Sequence, residues 1–145
     1  MRLRTAAVTA LVAVAAAGTL APAGAAPKPK PKPITKTYEV GPLLPDPTPI
    51  LGDICTPTIE QARHAEPFKV PAAGRLKVDI EFTGDWALGM RDAKKGTQIA
   101  SSDGATPDTP ESMDVKFKKP TEVFIDACNF AGAPTATVTY TFTYA

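Results

Sequence analysis

The side chains able to do chemistry in this chain are few and widely spaced. Cys55 and Cys128 are its two cysteines, and His64 is its single histidine. Two thiols can form a disulfide or a redox pair, but they do not make a structural zinc site, which takes four ligands. His64 stands in His-Ala-Glu-Pro, with no nucleophile motif beside it. Neither Gly-x-Ser-x-Gly nor His-Glu-x-x-His occurs, so His64 is expected as a surface or loop histidine rather than a general base. Carboxylate pairs such as Asp79 with Glu81 could in principle cleave a glycosidic bond. They fall, however, on an alternating outward face whose solvation already accounts for them. No catalytic residue is assigned, and the expected class is not an enzyme.

Binding chemistry has more candidates. Asp85, Asp92, Asp103 and Asp108 lie in turn-like segments, and oxygens converging from loops could hold calcium. No spacing matches an EF-hand loop, and ordinary turn chemistry, with each Asp accepting from nearby backbone, is the plainer use. Trp86, Tyr140 and Tyr144 could stack on a sugar. Trp86 shares its face with Leu88 and Met90, and Tyr140 shares its face with Val138 and Phe142, so both are expected in a core. Tyr144 is freer to be exposed.

Lys28, Lys30 and Lys32 alternate with prolines from Ala26 to Thr35. That alternation removes amide donors and fixes φ at every second residue, giving an extended polyproline-II arm rather than a helix or paired strand. The arm serves as a spacer, or as a basic contact to an anionic cell wall. Residues 1–25 carry Arg2 and Arg4, then an apolar run from Ala6 to Ala17, then Ala23-Gly24-Ala25, the order of an export signal cleaved after Ala25. The run is shorter than the roughly 20 apolar residues of a permanent span, and no later stretch could cross a membrane. Across the full chain, 16 Lys and Arg oppose 15 Asp and Glu. Without Arg2 and Arg4 the mature chain is almost neutral, which argues against nucleic acid as a partner. An exported chain places Cys55 and Cys128 where thiols oxidise. A disulfide between them would contribute about 4 kcal/mol in the chain-entropy model.

These residues must be positioned by strands. Residues 41–58 are punctuated by Pro42, Pro45, Pro47, Pro49 and Pro57 and read as loop. Residues 59–65 could form one helical turn before Pro67. From Phe68 the period becomes two: Leu76, Val78, Ile80 and Phe82 alternate with polar neighbours, then Trp86, Leu88 and Met90, then Met113, Val115 and Phe117. Val123, Ile125 and Ala127 share one face of a strand whose other face carries Phe124 and Cys128, so that strand reads as central. Val138, Tyr140, Phe142 and Tyr144 alternate with threonines, a pattern of high β-propensity. Seven to eight short strands with regular turn signals imply one all-β domain, an antiparallel sandwich over residues 37–145, with residues 26–36 as linker.

Gly74-Arg75-Leu76-Lys77-Val78, the turn Gly84-Asp85-Trp86-Ala87-Leu88-Gly89-Met90, the hairpin at Asp92 to Gly96, Ser101-Ser102-Asp103-Gly104 and a closing strand pair at 122–130 and 135–144 resemble the bacterial pre-peptidase C-terminal domain. That family is a jelly-roll-like sandwich attached to secreted peptidases. The resemblance implies a jelly-roll-like fold and a calcium-binding turn, although Ala87 stands where the family often has a second acid. No peptidase precedes the domain, so it is expected to act as a free module. The expected function is therefore a secreted, non-catalytic binding or accessory module for an extracellular polymer or protein. The alternatives are a structural cell-envelope protein with a basic arm and, last, a small secreted enzyme or inhibitor.

Overall fold

A computed structural model describes residues 29–46, 55–104 and 108–145; the expected export signal and Lys28 lie outside the described residues. Eight strands run in chain order: β1 (Ile34–Val40), β2 (Arg63–Val70), β3 (Gly74–Glu81), β4 (Trp86–Asp92), β5 (Gln98–Ser102), β6 (Glu111–Phe117), β7 (Thr121–Asn129) and β8 (Ala136–Tyr144). They form two four-stranded antiparallel sheets, ordered β1-β8-β3-β6 and β2-β7-β4-β5. The pairing is nested: β1 with β8, β2 with β7, β3 with β6 and β4 with β5. That is a long antiparallel ladder rolled into a jelly roll.

The alternation read in the sequence sets the core. Leu76, Val78 and Ile80 on β3 and Val138 and Phe142 on β8 face Trp86, Leu88 and Met90 on β4 and Val123 and Ile125 on β7, all of them buried. Each such side chain contributes about 1.5–3 kcal/mol by leaving water. The opposite face of the first sheet is solvated, and its threonines pair across strands, Thr35 with Thr141 at 3.1 Å and Thr37 with Thr139 at 2.9 Å. Trp86 belongs to the core at 1% exposure and donates from Nε1 to the Ala133 carbonyl at 3.2 Å, so it offers no stacking platform. Gly132 sits against that indole, where a Cβ would come within 2.4 Å of Nε1.

Both edge strands on one side differ from expectation. β1 begins at Ile34, so Ile34 and Thr35 pair with Phe142 and Thr141 instead of extending the arm, and the domain starts inside the anticipated linker. β2 begins at Arg63, five residues before the period-two pattern was expected to start, and continues through Pro67. Its edge position makes this possible, because a proline there leaves only an outward-facing position without an amide. The helical turn anticipated over 59–65 is a short 3-10 turn at Glu60–Ala62.

Cys55 and Cys128 are joined, with Cα atoms 5.6 Å apart and a sequence separation of 73. The bond lies on the outer face of the second sheet and fastens the segment from Cys55 over β4. Gly89 makes the seat, since a Cβ there would fall 2.8 Å from Cys55 Cβ.

Candidate polyanion-binding surface

Because successive strands alternate in direction, alternate connections collect at opposite ends of the sandwich. At one end lie the start of β1, the β2–β3, β4–β5 and β6–β7 turns and the end of β8, tied together by Ala93 N donating to Glu122 O and Ala145 N to Ala73 O. At the other end lie the β3–β4, β5–β6 and β7–β8 connections, tied by Asp108 N donating to Gly84 O and Ala133 N to Thr83 O. Charge is divided between these ends.

The first end is basic. Lys69 and Arg75 flank the β2–β3 turn, Lys94 and Lys95 form the β4–β5 turn, Lys118 and Lys119 lie in the β6–β7 turn, and all six are exposed. The arm leaves β1 at this same end, with Lys30 and Lys32 exposed along it. The acids there are engaged. Asp92 Oδ1 accepts from the backbone amides of Lys94 and Lys95 at 2.9 and 2.8 Å, which holds its carboxyl below the usual range. Asp114 receives a two-pronged bond from Arg75 at 2.9 and 2.8 Å. Glu122 lies 3.7 Å from Lys94. A groove of about 430 Å³ runs between Lys69, Lys94, Lys95 and Lys119 over Pro120 and Thr121. Tyr144 is half-buried at this end, edge-on to Phe142 at 5.1 Å, and lines a second hollow with Arg75 and Lys116.

The far end is acidic. Asp85, Asp103, Asp108 and Glu111 gather around the β3–β4 and β5–β6 connections. Burial, with Asp85 and Glu111 nearby, raises the Asp103 carboxyl above its ordinary value. Glu111 is buried and accepts from Ser102 Oγ and the Gly104 amide, and Asp108 Oδ1 accepts from Gly84 N at 2.7 Å. Asp85 and Asp103 therefore come together, whereas Asp92 lies at the opposite end. Among the described residues no group of three or more His, Cys, Asp or Glu is placed to hold a metal.

His64 lies on β2 rather than in a loop, with its ring 5.8 Å from Tyr38 at the open side between the sheets. Its Nε2 and the Tyr38 hydroxyl are both buried without a hydrogen-bond partner among the described residues. Glu66 accepts from Lys36 Nζ at 2.5 Å beside them. Burial, with Glu66 close by, pushes the Tyr38 hydroxyl far above the range in which a tyrosine would ionise near neutrality.

Fold and surface together define an eight-stranded, disulfide-linked sandwich with charge segregated along its axis. No family model and no curated protein matches the chain. No helix among the described residues is long and apolar enough to cross a membrane.

Proposed function

We propose that this is a secreted, non-catalytic module that holds an anionic extracellular polymer with its basic end. The observation that carries the reading is the exit of the Lys-Pro arm beside the turns that carry Lys69, Lys94, Lys95, Lys118 and Lys119. Arm and turns can engage one strand of polymer together, and an arm anchored at this end raises the effective concentration of its lysines near the groove. Export is supported by the composition of residues 1–25 and by the disulfide. In the alternative structural reading, the domain is a stable head and the arm alone makes the contact.

Retention on immobilised polyphosphate, polyuronate and neutral dextran separates these readings. The proteins compared are residues 26–145, a form lacking 26–33, and a form carrying Lys94→Glu, Lys95→Glu, Lys118→Glu and Lys119→Glu. The deletion stops at Pro33 because Ile34 pairs with Phe142. The proposal expects the anionic supports alone to retain the protein, with retention weakened by either change and falling at least tenfold between roughly 50 and 200 mM salt. Retention indifferent to the four turn lysines would leave the arm as the sole contact. Equal retention on dextran would end the electrostatic reading.

A further inference from the structure

On the outer face of the second sheet a hollow of about 210 Å³ is lined by Cys55, Arg63, Gly89, Arg91 and Asp126 and reaches Gly96 of the β4–β5 turn. At its base Asp126 is 2% exposed, an ionisable side chain pointing out of the sheet yet covered. Arg91 covers it, donating from Nε to Oδ2 at 2.8 Å and from Nη2 to Oδ1 at 3.2 Å, with its guanidinium 4.3 Å from the centre of the Phe124 ring. Room above the carboxylate comes from its cross-strand neighbours, Ala65 on β2 and Gly89 on β4. Arg63 stands on the other side of β7 from Arg91, and its charge acts on Asp126. Among the described residues the Arg63 side chain makes no hydrogen bond or ion pair.

We propose that this hollow is a binding site for a compact carboxylate, with Arg63 as the recognising side chain. Arg91 and Asp126 neutralise each other, so among the described residues that line the hollow Arg63 leaves one positive charge. A monoanion balances it, whereas a phosphate monoester dianion would bring excess negative charge towards Asp126. The planar guanidinium fork matches the two oxygens of a carboxylate. The volume of about 210 Å³ accommodates a short hydroxy acid. No lysine is among the described residues that line this hollow, so its test is independent of polymer binding.

The test is an NMR titration at constant ionic strength that follows the Gly89 amide and the Arg63 Nε–Hε signal. The probes are acetate, lactate, N-methylacetamide, methyl phosphate and glucuronate. Saturable shifts with acetate and lactate are expected at about 1–10 mM, with no saturation by the neutral amide. Arg63→Gln should weaken binding at least tenfold, and Arg63→Lys, which keeps the charge but loses the fork, should fall between. Trp86 fluorescence reports that each variant is folded. Shifts that stay linear to about 100 mM would overturn the site. So would binding unaffected by Arg63→Gln, or methyl phosphate or glucuronate binding tighter than lactate.

Discussion

Arg91 can be removed without removing most of the surface it covers, and this gives a quantitative test of how Asp126 is accommodated. In Arg91→Met the aliphatic packing over Phe124 is retained, but a carboxylate at 2% exposure loses both of its charged hydrogen bonds. Breaking a buried pair by deleting one partner costs about 3–5 kcal/mol. With a urea m-value on the order of 1–2 kcal/mol/M, a 3 kcal/mol loss moves the midpoint down by about 1.5–3 M at pH 7. The pH dependence carries the sharper signature. Burial already raises the Asp126 pKa above its ordinary value despite the hydrogen bond from Arg91. The folded state therefore holds this proton more tightly than the unfolded state, and the contribution to stability is present at low pH and lost as pH rises through the folded pKa. Without Arg91 that pKa rises further, so the deficit of the variant is largest near neutrality and shrinks on acidification. Urea unfolding at pH 7 and pH 4.5, read by the fluorescence of buried Trp86, measures both quantities. Adding Asp126→Asn to Arg91→Met should restore most of the loss at pH 7. A deficit equal at the two pH values, or no rescue by the asparagine, would refute the account.

Replacing Cys55 and Cys128 together by serine should cost about 2–5 kcal/mol, read as a lowered urea midpoint that matches the wild type under reductant. Gly89→Ala should destabilise by about 1–3 kcal/mol in the oxidised protein, because its Cβ meets Cys55 Cβ at 2.8 Å. In the double-serine form the same substitution should cost less, which a double-mutant cycle would show. Asp92→Ala removes the acceptor for two turn amides in the basic hairpin. It should lower stability by about 1 kcal/mol while leaving polyanion retention equal or stronger.

Five strands were legible because their alternation was clean: β3, β4, β6, β7 and β8 each carry apolar residues at every second position on the core side. β1 and β2 were not, since their inward positions include Lys36, His64 and Glu66, which meet one another at the open side of the sandwich instead of entering the core. Pro67 hid β2 further. Trp86 was rightly expected in the core from the company of Leu88 and Met90. Charge segregation escaped because a balance near zero says nothing about arrangement. The signal was nevertheless present, since the β4–β5 and β6–β7 turns carry Lys94, Lys95, Lys118 and Lys119 while the β3–β4 and β5–β6 connections carry Asp85, Asp103 and Asp108, and antiparallel succession converts that into opposite ends. The Arg63 hollow had no such signature, because Cys55, Arg63, Gly89 and Asp126 converge only through sheet register and the disulfide.

The nested order also determines when the protein can begin to exist as a folded object. β8 lies between β1 and β3, and β7 lies between β2 and β4, so one of the two inner strands of each sheet comes from the last two in the chain. Until residues 121–144 are available, β1 and β2 have no neighbour in their own sheets, and only the β3–β6 and β4–β5 ladders can close. Contacts of this sequence separation form slowly, because the intervening loop must be ordered first. A chain organised this way completes both sheets in one late step, once β7 and β8 are present.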